Sequence, residues 1–202
     1  MPHDRRETPV VLSRIYTRVG DDGTTALGDG SRTAKTDPRL AAYADVDEAN
    51  CALGVAVTMG GLPADITGLL LRVQNELFDV GADLCNPVAE DPPYPPLRIG
   101  EEYVTRLEQA CDQYNEGLPV LRSFVLPGGS PGAALLHTAR AVVRRAERSA
   151  WAAIEAHGPA VSPLPARYLN RLSDLLFILA RRANEPDGDL LWRPGGKSPQ
   201  DP

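Results

Sequence analysis

Arg140, Arg144 and Arg148 recur every four residues in the segment 123–148, SFVLPGGSPGAALLHTARAVVRRAER, with Glu147 beside them. On a helix that spacing sets Arg140, Arg144 and Glu147 on one side, flanked by His137 and Trp151. A guanidinium is hard to bury unpaired, and its planar fork suits carboxylates and phosphates. The stripe therefore points to an anionic ligand beside a buried seam. The bland alternative is a solvated surface on which Arg and Glu pair at helical spacing.

A second set of candidate ligand groups lies at residues 16–35, YTRVGDDGTTALGDGSRTAK. Gly20, Gly23, Gly28 and Gly30 are interleaved with Thr17, Thr24, Thr25 and Ser31, which exposes many amides and hydroxyls, and Arg18 and Lys35 bring positive charge to either end. Successive amides form anion-binding concavities, and a lysine acts as a point charge on a phosphate. The spacing is not GxxxxGK[ST], so this is no P-loop, and a Gly/Thr-rich surface turn is the competing reading. Nothing else groups as Ser–His–Asp or as an activated Cys. Cys51, Cys85 and Cys111 are odd in number and far apart, which suggests free thiols in a reducing cytoplasm rather than a disulfide framework or a zinc site. With 3 His and no Glu-x-x-His pair, a di-iron bundle is not expected and no metal-ligating set is assigned.

Helices must position both sets. Pro127-Gly128-Gly129-Ser130 is a turn whose Ser can cap a helix running to His157-Gly158-Pro159, with Leu135, Ala139, Val142, Val143, Ala146 and Ala150 facing a core. Asp37 and Pro38 start another, residues 40–59, with Val46, Ala49, Leu53 and Ala56 inward and Gly60-Gly61 as its stop. Residues 64–84 (Leu69, Leu70, Val73, Leu77, Val80, Leu84), 99–116 (Tyr103, Leu107, Ala110, Cys111) and 163–183 (Leu169, Leu172, Leu176, Leu179, Ala183) complete the set. Five prolines keep residues 86–100 out of regular helix. No strand pattern is convincing beyond short pieces near Ile15 and Phe124. The expected fold is all-α, a five-helix bundle with a four-helix core plus one, forming a single domain over 1–202. Residues 1–13 read as a lead-in and 185–202 as a tail whose Leu190, Leu191 and Trp192 call for a partner surface.

A net charge of −6 over 202 residues argues against non-specific binding to nucleic acid or anionic membranes, so an anion site must be a local concentration of positive charge. No apolar run reaches spanning length and MPHDRRETPVV lacks a signal-peptide core, so a cytoplasmic protein is expected.

Several ordered motifs, IYTRVGDDGTTALGDG with Lys35, YADVDEAN, the segment 123–148, RYLNRLSDLLFILARRAN and LLWRPG, make the chain resemble the PduO-type ATP:cob(I)alamin adenosyltransferases over most of residues 14–193. The resemblance implies a homotrimer with active sites between neighbouring subunits. It implies transfer of the 5′-deoxyadenosyl group of MgATP to the cobalt of cob(I)alamin, giving adenosylcobalamin and triphosphate. By motif match, Thr17, Arg18, Val19, Gly20, Thr25, Ala26 and Lys35 bind the nucleotide together with Arg144, Arg145, Ala146, Glu147, Arg148 and Asn170. Asp47 and Arg140 match a pair that bridges subunits, and Phe124 matches the residue that displaces the lower axial ligand of the corrinoid. Contacts with a cobalamin reductase and an adenosylcobalamin-dependent mutase are compatible with this chemistry. The alternatives are an adenosylcobalamin carrier that delivers cofactor to a mutase, and another ATP-dependent phosphoryl- or nucleotidyl-transferase. The chain departs from the family pattern at Ala49, where a Leu is usual, and in the Pro-rich connection, which is longer than usual.

Overall fold

The computed structural model describes residues 16–92 and 94–196. Five helices carry the chain: α1 (Pro38–Met59), α2 (Ala64–Cys85), α3 (Glu101–Asn115), α4 (Pro131–His157) and α5 (Leu164–Ala183). Their ends follow local chemistry. Asp37 caps α1 by accepting from the Arg39 N–H at 2.8 Å, and Pro38 occupies the first turn, where a missing N–H costs nothing. Ser130 caps α4 in the same way through the Ala133 N–H at 3.2 Å. At the far end of α4, Gly158 takes φ 57°, a left-handed conformation that turns the chain out of the helix.

α4 is the central element and packs chiefly on α1 and α5, while α2 lies on α1 and α3 on α5. The α1–α4 seam is built from small residues: Ala42, Ala49 and Ala56 meet Ala139, Ala146, Ala150 and Ala153, all fully buried. Small side chains let two helix axes approach closely, which leaves the larger Leu169, Leu172, Leu175, Leu176 and Leu179 of α5 to fill the opposite side of α4. One hydrophobic cluster draws on all five helices, and every inward position named for α1 and α2 is buried.

Three differences from the sequence-based expectation stand out. A two-stranded antiparallel hairpin, β1 (Thr24–Ala26) and β2 (Arg32–Ala34), sits inside the Gly/Thr-rich loop. Strands of 3 residues are too short to show alternation, and their only signal was the turn-forming Gly28-Asp29-Gly30 between them. His137 does not flank the arginines on the surface but is buried at 2 % exposure. Arg181, which its spacing aligns with Asn170, Asp174 and Phe177 on a face beside the apolar stripe of the fifth helix, is also buried, because it binds Asp189 at 2.8 Å and the Pro119 carbonyl at 2.7 Å.

The strand piece near Phe124 is present as a bridge between Val125 and Leu191, with Leu126 N–H donating to Leu190 at 2.7 Å and Trp192 N–H to Phe124 at 2.8 Å. The tail thus lies along residues 124–126. The piece near Ile15, the lead-in and residues 197–202 fall outside the described residues.

Candidate active site

The loop of residues 16–35 is shaped by its own polar groups. Asp22 accepts from the Thr24 N–H and hydroxyl at 2.9 and 2.8 Å, and Asp29 does the same for Ser31 at 2.9 and 2.6 Å. These bonds hold both carboxyls below the ordinary aspartate range. Arg32 ties the loop across itself, donating to the Val19 carbonyl at 3.0 Å and to Thr24. Arg32, which stands opposite Ala26 in the hairpin, was not among the residues singled out from sequence.

Arg18, the sole non-glycine with positive φ among the described residues, stands at φ 63°. A β-carbon added at Gly20 would lie 3.0 Å from the Thr24 carbonyl and 3.1 Å from the Lys35 ammonium, so glycine is what lets the chain pass under that charge. The Lys35 side chain has no hydrogen-bond or ion-pair partner among the described residues and is exposed. Thr17, Arg18, Val19 and Ala26 are exposed too, and Gly20 and Thr25 partly so. The loop is pinned to the bundle through the Gly28 N–H to the Cys85 carbonyl, 3.1 Å, and through Thr33, whose hydroxyl donates to Asp37 at 2.9 Å.

The second group sits on α4 and α5. Asn170 of α5 donates to Glu147 of α4 at 3.0 Å, so two residues matched to the nucleotide site meet. Arg144 and Arg148 have no hydrogen-bond or ion-pair partner among the described residues and are exposed. Arg140 lies over the Phe177 ring, 5.9 Å from its centroid, and its buried Nε has no partner. Burial, then repulsion from Arg144, pulls the Arg140 pKa below its ordinary value. Like charges four residues apart destabilise a helix, so an uncompensated row of three arginines calls for an anion from outside.

Arg145 reaches α1, pairing with Asp45 at 3.7 Å and with Glu48. Ala146 is fully buried in the α1–α4 seam, where its side chain serves packing. Asp47 is exposed and lines an apolar cleft of about 520 Å³ between α1 and α2, with Tyr43, Phe78 and Cys85. Asp47 and Arg140 do not pair within the chain. Phe124 is 78 % exposed and meets Trp192 edge-on at 5.9 Å, while the Ser123 hydroxyl holds the Trp192 carbonyl at 2.7 Å.

The loop and the arginine row occupy different levels of the bundle. The loop is moored where α1 begins and α4 ends, since Asp37 also binds His157 at 2.8 Å. Arg144 lies 13 residues before His157, which is about 20 Å along the helix. One chain therefore presents two separate cationic half-sites.

Fold and half-sites together define a helical protein with two exposed cationic groups and an exposed aromatic pair at Phe124 and Trp192. The cobalamin adenosyltransferase family model matches residues 15–183, and the chain belongs to that family. A corrinoid adenosyltransferase of Mycobacterium tuberculosis is 67 % identical over 187 residues, 93 % of this chain and 96 % of the relative. One from Bacillus subtilis is 42 % identical over 178 residues, 87 % and 89 % of the two chains. Among solved structures, a variant PduO-type ATP:corrinoid adenosyltransferase from Lactobacillus reuteri complexed with cobalamin and ATP superposes with a TM-score of 0.82 at 35 % identity, covering 89 % of this chain and 99 % of that one.

Proposed function

We propose that the protein transfers the 5′-deoxyadenosyl group of MgATP to the cobalt of cob(I)alamin, forming adenosylcobalamin and releasing triphosphate. The observation that carries the reading is the uncompensated row Arg140–Arg144–Arg148 beside the Glu147–Asn170 contact, in a chain of this family. Reduced cobalt is itself the nucleophile, so the protein needs no activated Ser or Cys; the cofactor carries the hard chemistry and the chain orients it and manages charge. The cobalt electron pair forms the Co–C5′ bond, the C5′–O bond breaks, and its electrons leave with triphosphate. Arg144, Lys35 and Arg18 meet the negative charge that grows on the leaving group. Thr17, Val19, Gly20, Thr25 and Ala26 supply loop contacts to the nucleotide, with Glu147, Arg148 and Asn170 from α4 and α5. Among the described residues no three His, Cys, Asp or Glu side chains gather as a metal cage. Magnesium is assigned to the triphosphate itself.

A loop moored at the far end of α4 from the arginine row supports a site completed between subunits, in which the loop of one copy faces the α4–α5 surface of the next. The lone Nε of Arg140 and the exposed carboxylate of Asp47 suit the bridging pair. The homotrimer itself is what the family resemblance implies, and an inter-subunit site is compatible with it. The exposed aromatic ring of Phe124 suits the role of excluding a ligand or water from the lower face of the macrocycle. No helix among the described residues is long and apolar enough to cross a membrane, and all three cysteines are free. This fits a cytoplasmic enzyme that takes cob(I)alamin from a reductase and passes product to a dependent mutase.

The test is a spectrophotometric assay with chemically reduced cobalamin, MgATP and purified protein. Loss of the cob(I)alamin band with stoichiometric adenosylcobalamin and triphosphate is expected. ATP binding without product would favour a carrier, and release of ADP or AMP would favour phosphoryl or nucleotidyl transfer.

A further inference from the structure

Asp37 does more than a helix cap requires. A cap needs one side-chain oxygen on an early N–H, and Asp37 Oδ1 meets that need by accepting from the Arg39 N–H at 2.8 Å. The same oxygen lies 2.8 Å from His157 Nε2, at the last residue of α4. The other oxygen, Oδ2, accepts from the Thr33 hydroxyl of β2 at 2.9 Å. One carboxylate therefore joins three separate pieces of chain: the nucleotide-loop hairpin, the start of α1 and the end of α4.

The side that His157 comes from is rigid. Immediately after it, the turn Gly158–Ala160 is held by the Arg39 guanidinium, which donates to the Ala160 carbonyl at 2.9 Å and to the Leu84 carbonyl of α2 at 2.8 Å. The Val88 N–H donates to the same Ala160 carbonyl at 2.9 Å. The side that Thr33 belongs to is not rigid in this way: a hairpin of two 3-residue strands has no core of its own. Beyond Thr33 the path to the ligand groups is short. Lys35 is two residues on, its N–H bonded to the Gly23 carbonyl at 2.9 Å, and its ammonium lies over Gly20.

We propose that His157, Asp37 and Thr33 form a clasp that fixes the nucleotide loop to the bundle, making His157 a positioning residue for MgATP. The inference rests on the adenosyltransfer reading, in which residues 17–35 hold the nucleotide. His157 touches no substrate; it acts through Asp37 and Thr33 on the placement of Lys35 and the Gly20 turn. Because a neutral imidazole still carries one N–H, Nε2 can donate to Asp37 without a positive charge. The clasp is a hydrogen-bond device first and an ion pair second.

The experiment compares His157→Leu, His157→Gln, Thr33→Val and the His157→Leu/Thr33→Val double variant with the wild type in the steady-state adenosylation assay, alongside thermal melts and sedimentation. Gln can present an amide N–H near the place of Nε2, so it is the conservative rescue. His157→Leu and Thr33→Val are each expected to raise KM for ATP about five- to tenfold through a weaker hold on the loop, with a smaller fall in kcat through Lys35 and with KM for corrinoid within about twofold. The double variant is expected to rise little further than either single one, because both break the same linkage. His157→Gln should return most of the loss.

The inference is overturned if His157→Leu leaves KM for ATP unchanged, if Gln fails to rescue it, or if kcat, both KM values and the melting temperature all worsen together, which is what a merely structural peg would do. Lys35→Ala separates this from the functional reading beneath it. If Lys35→Ala raises KM for ATP and His157→Leu does not, the clasp alone is wrong. If neither variant moves it, the assignment of the loop to the nucleotide falls as well.

Discussion

The two ends of the cationic machinery are built on opposite principles. Around the start of α1, the buried and half-buried charges beneath the loop are answered within the chain, Arg39 by the Leu84 and Ala160 carbonyls, Arg98 by Asp83 at 2.6 Å, and Asp37 by Thr33, Arg39 N–H and His157, while Lys35 of the loop itself stays exposed. Halfway along α4 the arginines are left unanswered, with Arg144 and Arg148 bare and Arg140 short of a partner at Nε. A satisfied buried charge costs little and fixes geometry. The exposed Arg144 and Arg148 are solvated by water and stay free for a ligand or a second subunit to bind. The first region is thus scaffold for a loop, and the second is surface that awaits an anion.

If that contrast is right, the largest effect should come from Arg144. Arg144→Ala is expected to lower kcat by about 10²- to 10³-fold, the range for losing one donor to developing oxyanion charge. Its melting temperature should stay at or above the wild-type value, since removing the middle member of a like-charged row relieves repulsion. Single-turnover rates and a thermal melt on the same preparation check both halves. A destabilised Arg144→Ala protein would mean that the arginine has a structural partner and that the contrast is drawn in the wrong place.

Next in size is the pair proposed to bridge subunits. Asp47→Ala is expected to raise KM for corrinoid, or loosen the trimer, by about tenfold or more while ATP affinity changes little, as truncating one partner of a buried ion pair does. Steady-state kinetics and sedimentation measure this directly. Unchanged kinetics and assembly would return Asp47 to the ordinary acidic surface of α1.

How much of this was readable in advance follows the same division. Helical periodicity identified the five helices and their inward faces because long amphipathic segments average over many residues; the bounds of α1 and α4 follow from Asp37-Pro38, Ser130-Pro131 and Gly158, each with a local mechanism. The arginine row was legible for the same reason, since Arg140, Arg144 and Arg148 lie on one helix. The hairpin was not, because strands of 3 residues carry too little pattern. Nor was the burial of Arg39, Arg181 and His137 legible. It depends on carbonyls 45 and 121 residues away for Arg39, and spacing along a helix says nothing of what the chain brings opposite it. Contacts such as Asp37–His157 are invisible to periodicity for this reason. The Glu147–Asn170 meeting was expected only through family resemblance.

The tail extends the comparison to the aromatic face. Trp192 is 44 % exposed although it meets Phe124 edge-on, and Leu190 and Leu191 stand at 50 and 45 %. Apolar groups held in place by the Ser123 and Phe124 hydrogen bonds, yet still open to solvent, suit a strap over a bound macrocycle. Deleting residues 187–202 should speed corrinoid dissociation about tenfold, because burial of a large aromatic contributes a few kcal/mol at most, and should leave ATP binding near normal. Stopped-flow release of adenosylcobalamin distinguishes this from a passive tail, for which the two rates would be equal.

The smallest effect belongs to the satisfied region and tests whether its bonds are as firm as they look. Burial works to raise the Asp37 pKa, but the Arg39 N–H, His157 and Thr33 outweigh it, and the carboxyl sits below its ordinary value of 3.8. A depressed native pKa contributes stability that is fully present above the unfolded value and is lost as pH falls through the native one. Wild-type protein should therefore lose melting temperature as pH drops below about 4, in part through this group. Asp37→Asn should start lower at neutral pH, by about 2–4 °C, and lose less on acidification, so the two curves converge in acid. Arg144→Ala, which removes a charge that nothing among the described residues answers, should instead run parallel to wild type throughout. Convergence in one variant and parallel curves in the other are what a moored loop and a waiting cationic row require.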